Sequence, residues 1–323
     1  MNMKTLNFLA SANTCEGFEN HFNSIFPNEN SFTYILKGGP GTGKSTFMKK
    51  IARIYKDKGF TVECFYCSSD PNSLDGVRIV EKDISIVDGT APHTTECSIP
   101  GAKEVIINLG SAIKSDIKKH LNDIVPLLEK KKECFALAYS YLEAAGKLLK
   151  TSRMQAKGEI NEILEAQKTF SLLQNTPEKY FGSVRQLYLS YFTSNGLKMV
   201  GNHFEKTVKL PYSLFDGMKV LRELANLASR SGHEVIEILS PICVGELEGV
   251  YFPTIDTYVT LDDKALKAIP DGQMIFNLLK KGGKWIEKAR SYHLQVEKYY
   301  IKSMNFEAID EYFEKTNEEI YNS

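Results

Sequence analysis

The chain has 323 residues, enough for about two domains at ordinary domain sizes. Forty basic and forty acidic residues cancel, so no global field draws it to nucleic acid or to an anionic membrane. Hydrophobic residues make up 42%, ordinary for a globular protein, and no apolar run approaches the ~18 residues that span a bilayer.

Leu6–Ser11 opens as a candidate strand, too short and too polar at its flanks for a signal peptide, and the cytoplasm is the expected compartment. Phe32-Thr33-Tyr34-Ile35-Leu36 reads as a buried strand, β-branched and aromatic without Gly or Pro. The next segment, Gly38-Gly39-Pro40-Gly41-Thr42-Gly43-Lys44-Ser45-Thr46, fits G-x-x-x-x-G-K-[ST] without a mismatch. A polyphosphate needs many donors close together, and Gly38, Gly41 and Gly43 let bare backbone wrap around it. Its N–H groups would form an anion nest and the following helix would add its positive end. Lys44 is expected on the β- and γ-phosphates and the Ser45 hydroxyl on Mg²⁺.

Behind the loop, Phe47, Met48, Ile51, Ile54 and Tyr55 recur at helical spacing, with Lys49, Lys50, Arg53 and Lys56 on the opposite face. Gly59 is placed to end that helix. Strand, glycine loop and helix in this order predict a nucleoside triphosphate site. Without an N-K-x-D segment to read guanine, ATP is the expected nucleotide.

Ile84-Ser85-Ile86-Val87-Asp88 is an apolar strand ending in an acid, the pattern that holds Mg²⁺ through its water shell; the competing account of Asp88 is a strand-end turn. Gly89 stands where many hydrolytic ATPases carry a water-polarising Glu. Asp70, Asp75, Glu63 and His93 are then the candidates for activating water, although Asp70-Pro71-Asn72 reads equally as a turn. Arg78, Arg153, Arg185 and Arg222 are the arginines placed to reach a γ-phosphate, against the alternative of surface ion pairs. Arg153 stands at the join of two helices in the first arm, as a lid residue would.

Cys15, Cys64, Cys67, Cys97, Cys134 and Cys243 are scattered, unlike a secreted disulfide framework. Cys64 and Cys67 fall within one predicted strand with no second pair to complete a zinc site, so structural thiols are expected. From about 101 to 175 a helical arm is predicted: Ile106, Ile113, Ile117, Leu121, Ile124 and Leu128 keep a helical step. Pro126 should kink or divide it, a second helix should run from about Glu129 past Leu148, and a third from roughly Gln155 to Leu173.

The second half repeats the first. Slid by 173 residues, Met48–Asp88 lies on Leu221–Leu261, with Ala52, Gly59, Val62, Leu74, Gly76, Val77 and Asp83 meeting identical residues. A slide of 179 pairs Leu9–Gly17 with Tyr188–Gly196. Gly38–Ser45 lands on Pro211–Met218, where Gly217 replaces the lysine, Met218 the hydroxyl, and Leu261 takes the place of Asp88. That copy cannot cradle phosphate and is expected to be silent. The division predicted is 1–182, a P-loop domain with its arm, and 183–323, a degenerate repeat with a helical arm at about 263–323.

Leu6–Ser11, Lys37–Thr46, Cys67–Asp70 with Ser73–Val77, and Val87–His93 together resemble a family of bacterial tandem P-loop ATPase-like, or nucleotide kinase-like, proteins. The resemblance covers nearly the whole chain and implies nucleotide binding without supplying a substrate. Members tend to keep a phosphate loop in both halves, and this chain departs from that at Pro211–Met218. The expected fold is α/β, with tandem parallel P-loop-type sheets, helical arms and a pseudo-twofold internal repeat. Three functions follow from the residues: an Mg²⁺-dependent ATPase that moves its helical arms, a small-molecule or nucleotide kinase, or a nucleotide-gated module for a protein partner. Low arginine content of the first arm weighs against a nucleotide kinase lid, and the absent Glu after Asp88 weighs for a kinase.

Overall fold

The computed structural model describes residues 4–26, 28, 31–92, 95–156, 160–173, 183–202, 204–262 and 265–323. β1 (Thr5–Phe8) leads to β2 (Ser11–Thr14), β3 (Gly17–Asn20) and β4 (Phe32–Lys37). After α1 (Lys44–Asp57) come β5 (Val62–Cys67), β6 (Asp70–Ile79), β7 (Ile84–Asp88) and β8 (Glu104–Asn108). Two helices follow, α2 (Leu121–Gln155) and α3 (Glu162–Ser171). A second series is β9 (Val184–Leu187), β10 (Ser190–Thr193), β11 (Gly196–Met199), β12 (Lys206–Leu210), α4 (Leu214–Arg230), β13 (Val235–Leu239), β14 (Leu247–Phe252) and β15 (Thr257–Leu261). The helices α5 (Ala265–Ala268), α6 (Gly272–Ser303) and α7 (Phe306–Asn322) complete it.

The protein is α/β, but its two compact units interleave along the chain. One comprises Met1–Ala10, Ile25–Leu137 and Trp285–Ser323; the other comprises Ser11–Ser24 and Ala138–Lys284. The division expected at 182/183 falls at the end of residues 174–182, outside the described residues.

In the first unit the sheet order is β1-β5-β6-β7-β4-β8. β4 lies between β7 and β8, parallel to both. Its Tyr34, Ile35 and Leu36 are buried for that reason. The expectation of parallel sheets is corrected here: β6 runs antiparallel to β5 and to β7. Ser68 and Ser69 alone join β5 to β6, and a two-residue connection can only turn a strand back beside itself. α1 buries Phe47, Met48, Ile51 and Tyr55 and stops where Gly59 takes φ +92°.

In the second unit the order is β9-β13-β14-β15-β12, the same sequence of pairings without a counterpart of β8. The register agrees as well. Glu63 faces Arg78 across β5 and β6, and Ile236 faces Tyr251 across β13 and β14, each residue 173 further on. Gly17 and Gly196 turn two alike hairpins at φ +121° and +102°, both accepting from a threonine hydroxyl at 2.8 Å. Asp83 and Asp256 take positive φ at equivalent turns.

The helical arms need three corrections. Residues around Ile106 form strand β8, because the β-branched run Val105-Ile106-Ile107 pairs with β4 instead of continuing a helix. α2 runs unbroken through Pro126, since a proline in its second turn removes only the bond to Asn122. α3 is a separate short helix, capped by Asn161, that packs on α4.

The C-terminal helices, expected to trail the second repeat, help to build the first unit. Ile309, Phe313 and Ile320 of α7 are buried in one cluster with Phe47, Met48, Ile51 and Tyr55 of α1. Phe47 and Phe313 meet edge to face with centroids 5.2 Å apart.

Candidate functional site

The loop between β4 and α1 adopts its turns at Gly41 (φ +72°) and Gly43 (φ +93°), the left-handed region where glycine costs least. Lys44 folds back over this loop. Its Nζ donates to the carbonyls of Gly38 at 2.7 Å and Gly39 at 2.8 Å and stands 3.6 Å from Asp88 Oδ2. Both side chains are largely sheltered, 10% and 16% exposed. Thr42 Oγ1 donates to Gly39 O at 2.9 Å.

Asp88 reaches the loop because β7 is the direct parallel neighbour of β4, with Asp88 level with Leu36. The turn after it is tied down: Thr90 N–H donates to Asp88 Oδ1 at 2.8 Å and Thr90 Oγ1 donates to Gly38 O at 2.9 Å. Lys37 closes the same turn from the other strand, donating to Gly89 O, Thr95 O and Glu96 Oε1 at 2.8–2.9 Å. Ser45 Oγ accepts from Leu74 N–H at 3.0 Å, linking the start of α1 to β6.

α6 packs against the glycines. A Cβ on Gly39 would stand 2.7 Å from Tyr300 Cε1, and one on Gly41 would stand 2.9 Å from the Glu297 carbonyl oxygen. Along the same helix Arg290 Nη2 pairs with Asp70 Oδ1 at 2.8 Å. His293 bridges Lys131 Nζ at 3.0 Å and Glu297 Oε1 at 3.5 Å. Burial lowers the Lys131 ammonium, while the Cys67 and Glu297 charges oppose that shift.

Asp75, on β6 beside the strand that ends in Asp88, is almost wholly buried. Burial pushes its carboxyl up to about 8 and the charge of Asp88 adds to the rise; a hydrogen bond from Cys67 and the charge of Lys44 pull the other way. Asp70 keeps its turn role as well, accepting from Asn72 N–H at 3.1 Å and Ser73 Oγ at 2.9 Å.

The remaining candidates separate. Glu63 is buried and bonded by Arg78 at 3.4 Å, which also pairs with Asp83 at 3.0 Å, so these two serve the sheet. His93 lies outside the described residues. Arg153 belongs to the second unit, paired with Glu246 at 2.6 Å. Arg185 donates to Ser24 O at 2.8 Å, and Arg222 to Glu237 at 3.0 Å and Gly245 O at 2.7 Å. The residues missed from sequence are Thr90, Lys131 and the α6 face. That face had a signal: Arg290, His293, Glu297 and Tyr300 recur at three and four residues.

The segment corresponding to the loop in the second unit is built otherwise. α4 begins early, at Leu214, and Ser213 caps it by accepting from Asp216 N–H. A Cβ on Gly217 would collide with Leu261. At the sequence offset of 173, Gly217 and Leu261 stand where Lys44 and Asp88 stand in the first unit.

The described residues gather no group of three His, Cys, Asp or Glu suited to a metal, and the six cysteines are free thiols. Burial pushes Cys15, Cys64 and Cys243 up to about 12, in keeping with structural thiols. Mg²⁺ keeps most of its water and takes one or two protein oxygens beside phosphate, a donor set that Ser45 and Asp88 fit. Among the described residues no helix is long and apolar enough to cross a membrane. Comparison with protein-family models, with curated proteins and with solved structures finds no match to this chain.

Proposed function

We propose that Gly38–Thr46 binds the triphosphate of ATP with Mg²⁺, and that the chain is an ATPase whose hydrolysis moves its helices. The observation that carries this reading is the placement of Lys44. Its ammonium lies in the mouth of a glycine loop, 3.6 Å from a strand-end carboxylate and satisfied by the carbonyls of the loop itself. An arriving phosphate would offer it stronger, charged acceptors. Ser45 and Asp88 would hold Mg²⁺, which when bound would neutralise charge on the phosphates.

Two further observations favour hydrolysis coupled to motion. Burial raises the Asp75 carboxyl to about 8 beside Asp88 and Lys44, so that its ionised form would be a stronger base towards water than an ordinary carboxylate. Tyr300 and Glu297 of α6 lie close against Gly39 and Gly41 of the loop that a phosphate would occupy. The shared strand order and register of the two sheets support a tandem P-loop layout in which the second copy keeps the fold without the chemistry.

A kinase is the second reading, favoured by Gly89 where a hydrolase would carry a water-polarising Glu, since a kinase excludes water; the same Asp75 could deprotonate a hydroxyl acceptor. Incubation with γ-labelled ATP, Mg²⁺ and a panel of nucleosides, nucleotides and small alcohols separates the two. Inorganic phosphate alone, lost in Lys44→Ala, supports the ATPase; a labelled organic product overturns it. No binding of ATP by calorimetry in the intact chain overturns both.

A further inference from the structure

The second unit holds a cavity of ≈ 290 Å³ on the β10–β11 hairpin, β14, β15, α4 and α6. That is near the lower edge of small-molecule sites. Its walls include Met199, Met218, Tyr258, Leu261 and Phe276, and one polar group among them is out of place. Glu248 lines the cavity, and its Oε1 is shut off from water without a hydrogen-bond partner. The other carboxyl oxygen takes the backbone N–H and hydroxyl of Ser190.

Glu248 is the counterpart of Asp75 at the offset of 173, as Met218 is of Ser45 and Leu261 of Asp88. The cavity therefore occupies the place in its sheet that the phosphate and magnesium side chains occupy in the other. Where those side chains were lost, apolar ones line a space and the buried acid was kept.

We propose that this cavity binds a small organic ammonium, an amine on an apolar body. Its ammonium meets Glu248, whose carboxyl releases its proton to solvent as the cation enters, and its body lies on Met218, Leu261 and Phe276. A buried acceptor left unmade costs about 1–3 kcal/mol, which a donor brought by a ligand recovers. Burial pushes the Glu248 carboxyl up to about 8, against the hydrogen bonds from Ser190. The cavity is otherwise balanced, with Lys198 and Lys267 set against Glu248 and Asp262. Lys267 is turned to the Phe276 ring, 4.6 Å from its centroid, so the aromatic wall already accommodates a cation. An anionic ligand would bring Glu248 no counter-charge, and a neutral apolar one would leave Oε1 unpaired.

The test is a titration of the full chain, labelled with ¹³C at its methionine methyls, with phenethylamine, 2-phenylethanol and phenylacetate. The Met199 and Met218 resonances are expected to move with the amine, at an affinity at least about tenfold above the alcohol, and not with the carboxylate. Glu248→Gln should bring the amine down to the level of the alcohol, and Met218→Trp, which fills the cavity, should abolish the response. Lys44→Ala should bind the amine as the parent does, which makes the outcome independent of nucleotide binding at the other loop. No shift of either methionine at millimolar amine, equal response to all three probes, or undiminished binding by a folded Glu248→Gln or Met218→Trp chain overturns the proposal.

Discussion

Leu261 lies over Gly217 so closely that α4 has no room for a side chain at that position. In the first unit the corresponding residues are Asp88 and Lys44, and they form an ion pair across 3.6 Å. One unit thus fills by apolar contact against a bare backbone the space that the other fills with opposite charges.

Gly217→Ala sets two effects against each other. Removing glycine from a helix interior gains about 0.5–1 kcal/mol. Driving a methyl into a buried leucine costs about 1–3 kcal/mol, and Leu261 is only 7% exposed, with little freedom to yield. The clash wins, and urea unfolding should show net destabilisation. The double variant with Leu261→Ala should lose less than the sum of the single losses, because the leucine is the obstacle.

Phe313→Ala should destabilise the first unit by about 3–5 kcal/mol, the usual cost of emptying an aromatic core position. Phe313 is 5% exposed and packs edge to face on Phe47 of the helix that follows the loop. Thermal unfolding and hydrogen exchange of α1 amides measure the effect. Unchanged protection of α1 would mean that the C-terminal helix is dispensable to it.

What the sequence made legible was local. Phe32–Leu36, the glycine loop and the amphipathic helix to Gly59 each carry their signal within a few residues, and Asp88 closes a recognisable apolar strand. Strand direction was not legible, because buried runs such as Val62–Phe65 read alike in parallel and antiparallel sheets. The packing of Phe313 on Phe47 was hidden for another reason: a helical apolar stripe says that it is buried without saying against what. Arg290 escaped in the same way, its partner Asp70 lying more than two hundred residues earlier.

The two left-handed glycines of the loop should differ under substitution. Alanine at either must take a positive φ, costing about 1–2 kcal/mol. At Gly43 the new methyl would find its nearest neighbours at 3.8 Å, so that strain is the whole effect. At Gly41 it would also press on the Glu297 carbonyl oxygen at 2.9 Å and push α6 away from the loop. Gly41→Ala should therefore be the more destabilised in urea, and its α6 amides should exchange faster. Equal losses would mean that α6 does not rest on the loop in solution.

Stability should fall as pH rises from about 5 towards 8. Asp75 and Glu248 start from ordinary values of 3.8 and 4.5 and are each raised to about 8 by burial. Between those limits the folded chain holds protons that the unfolded chain has released. Each group then costs up to about 1.4 kcal/mol of stability per pH unit, and the loss levels off above about pH 8. Around Asp75 stand Asp88, Asp70, Cys67 and Lys44, so nucleotide and magnesium at the loop would change its share. Urea midpoints from pH 5 to 9 in Asp75→Asn and Glu248→Gln should each decline less steeply than in the parent. A parent midpoint that rose over that interval would show both carboxyls ionised in the folded state.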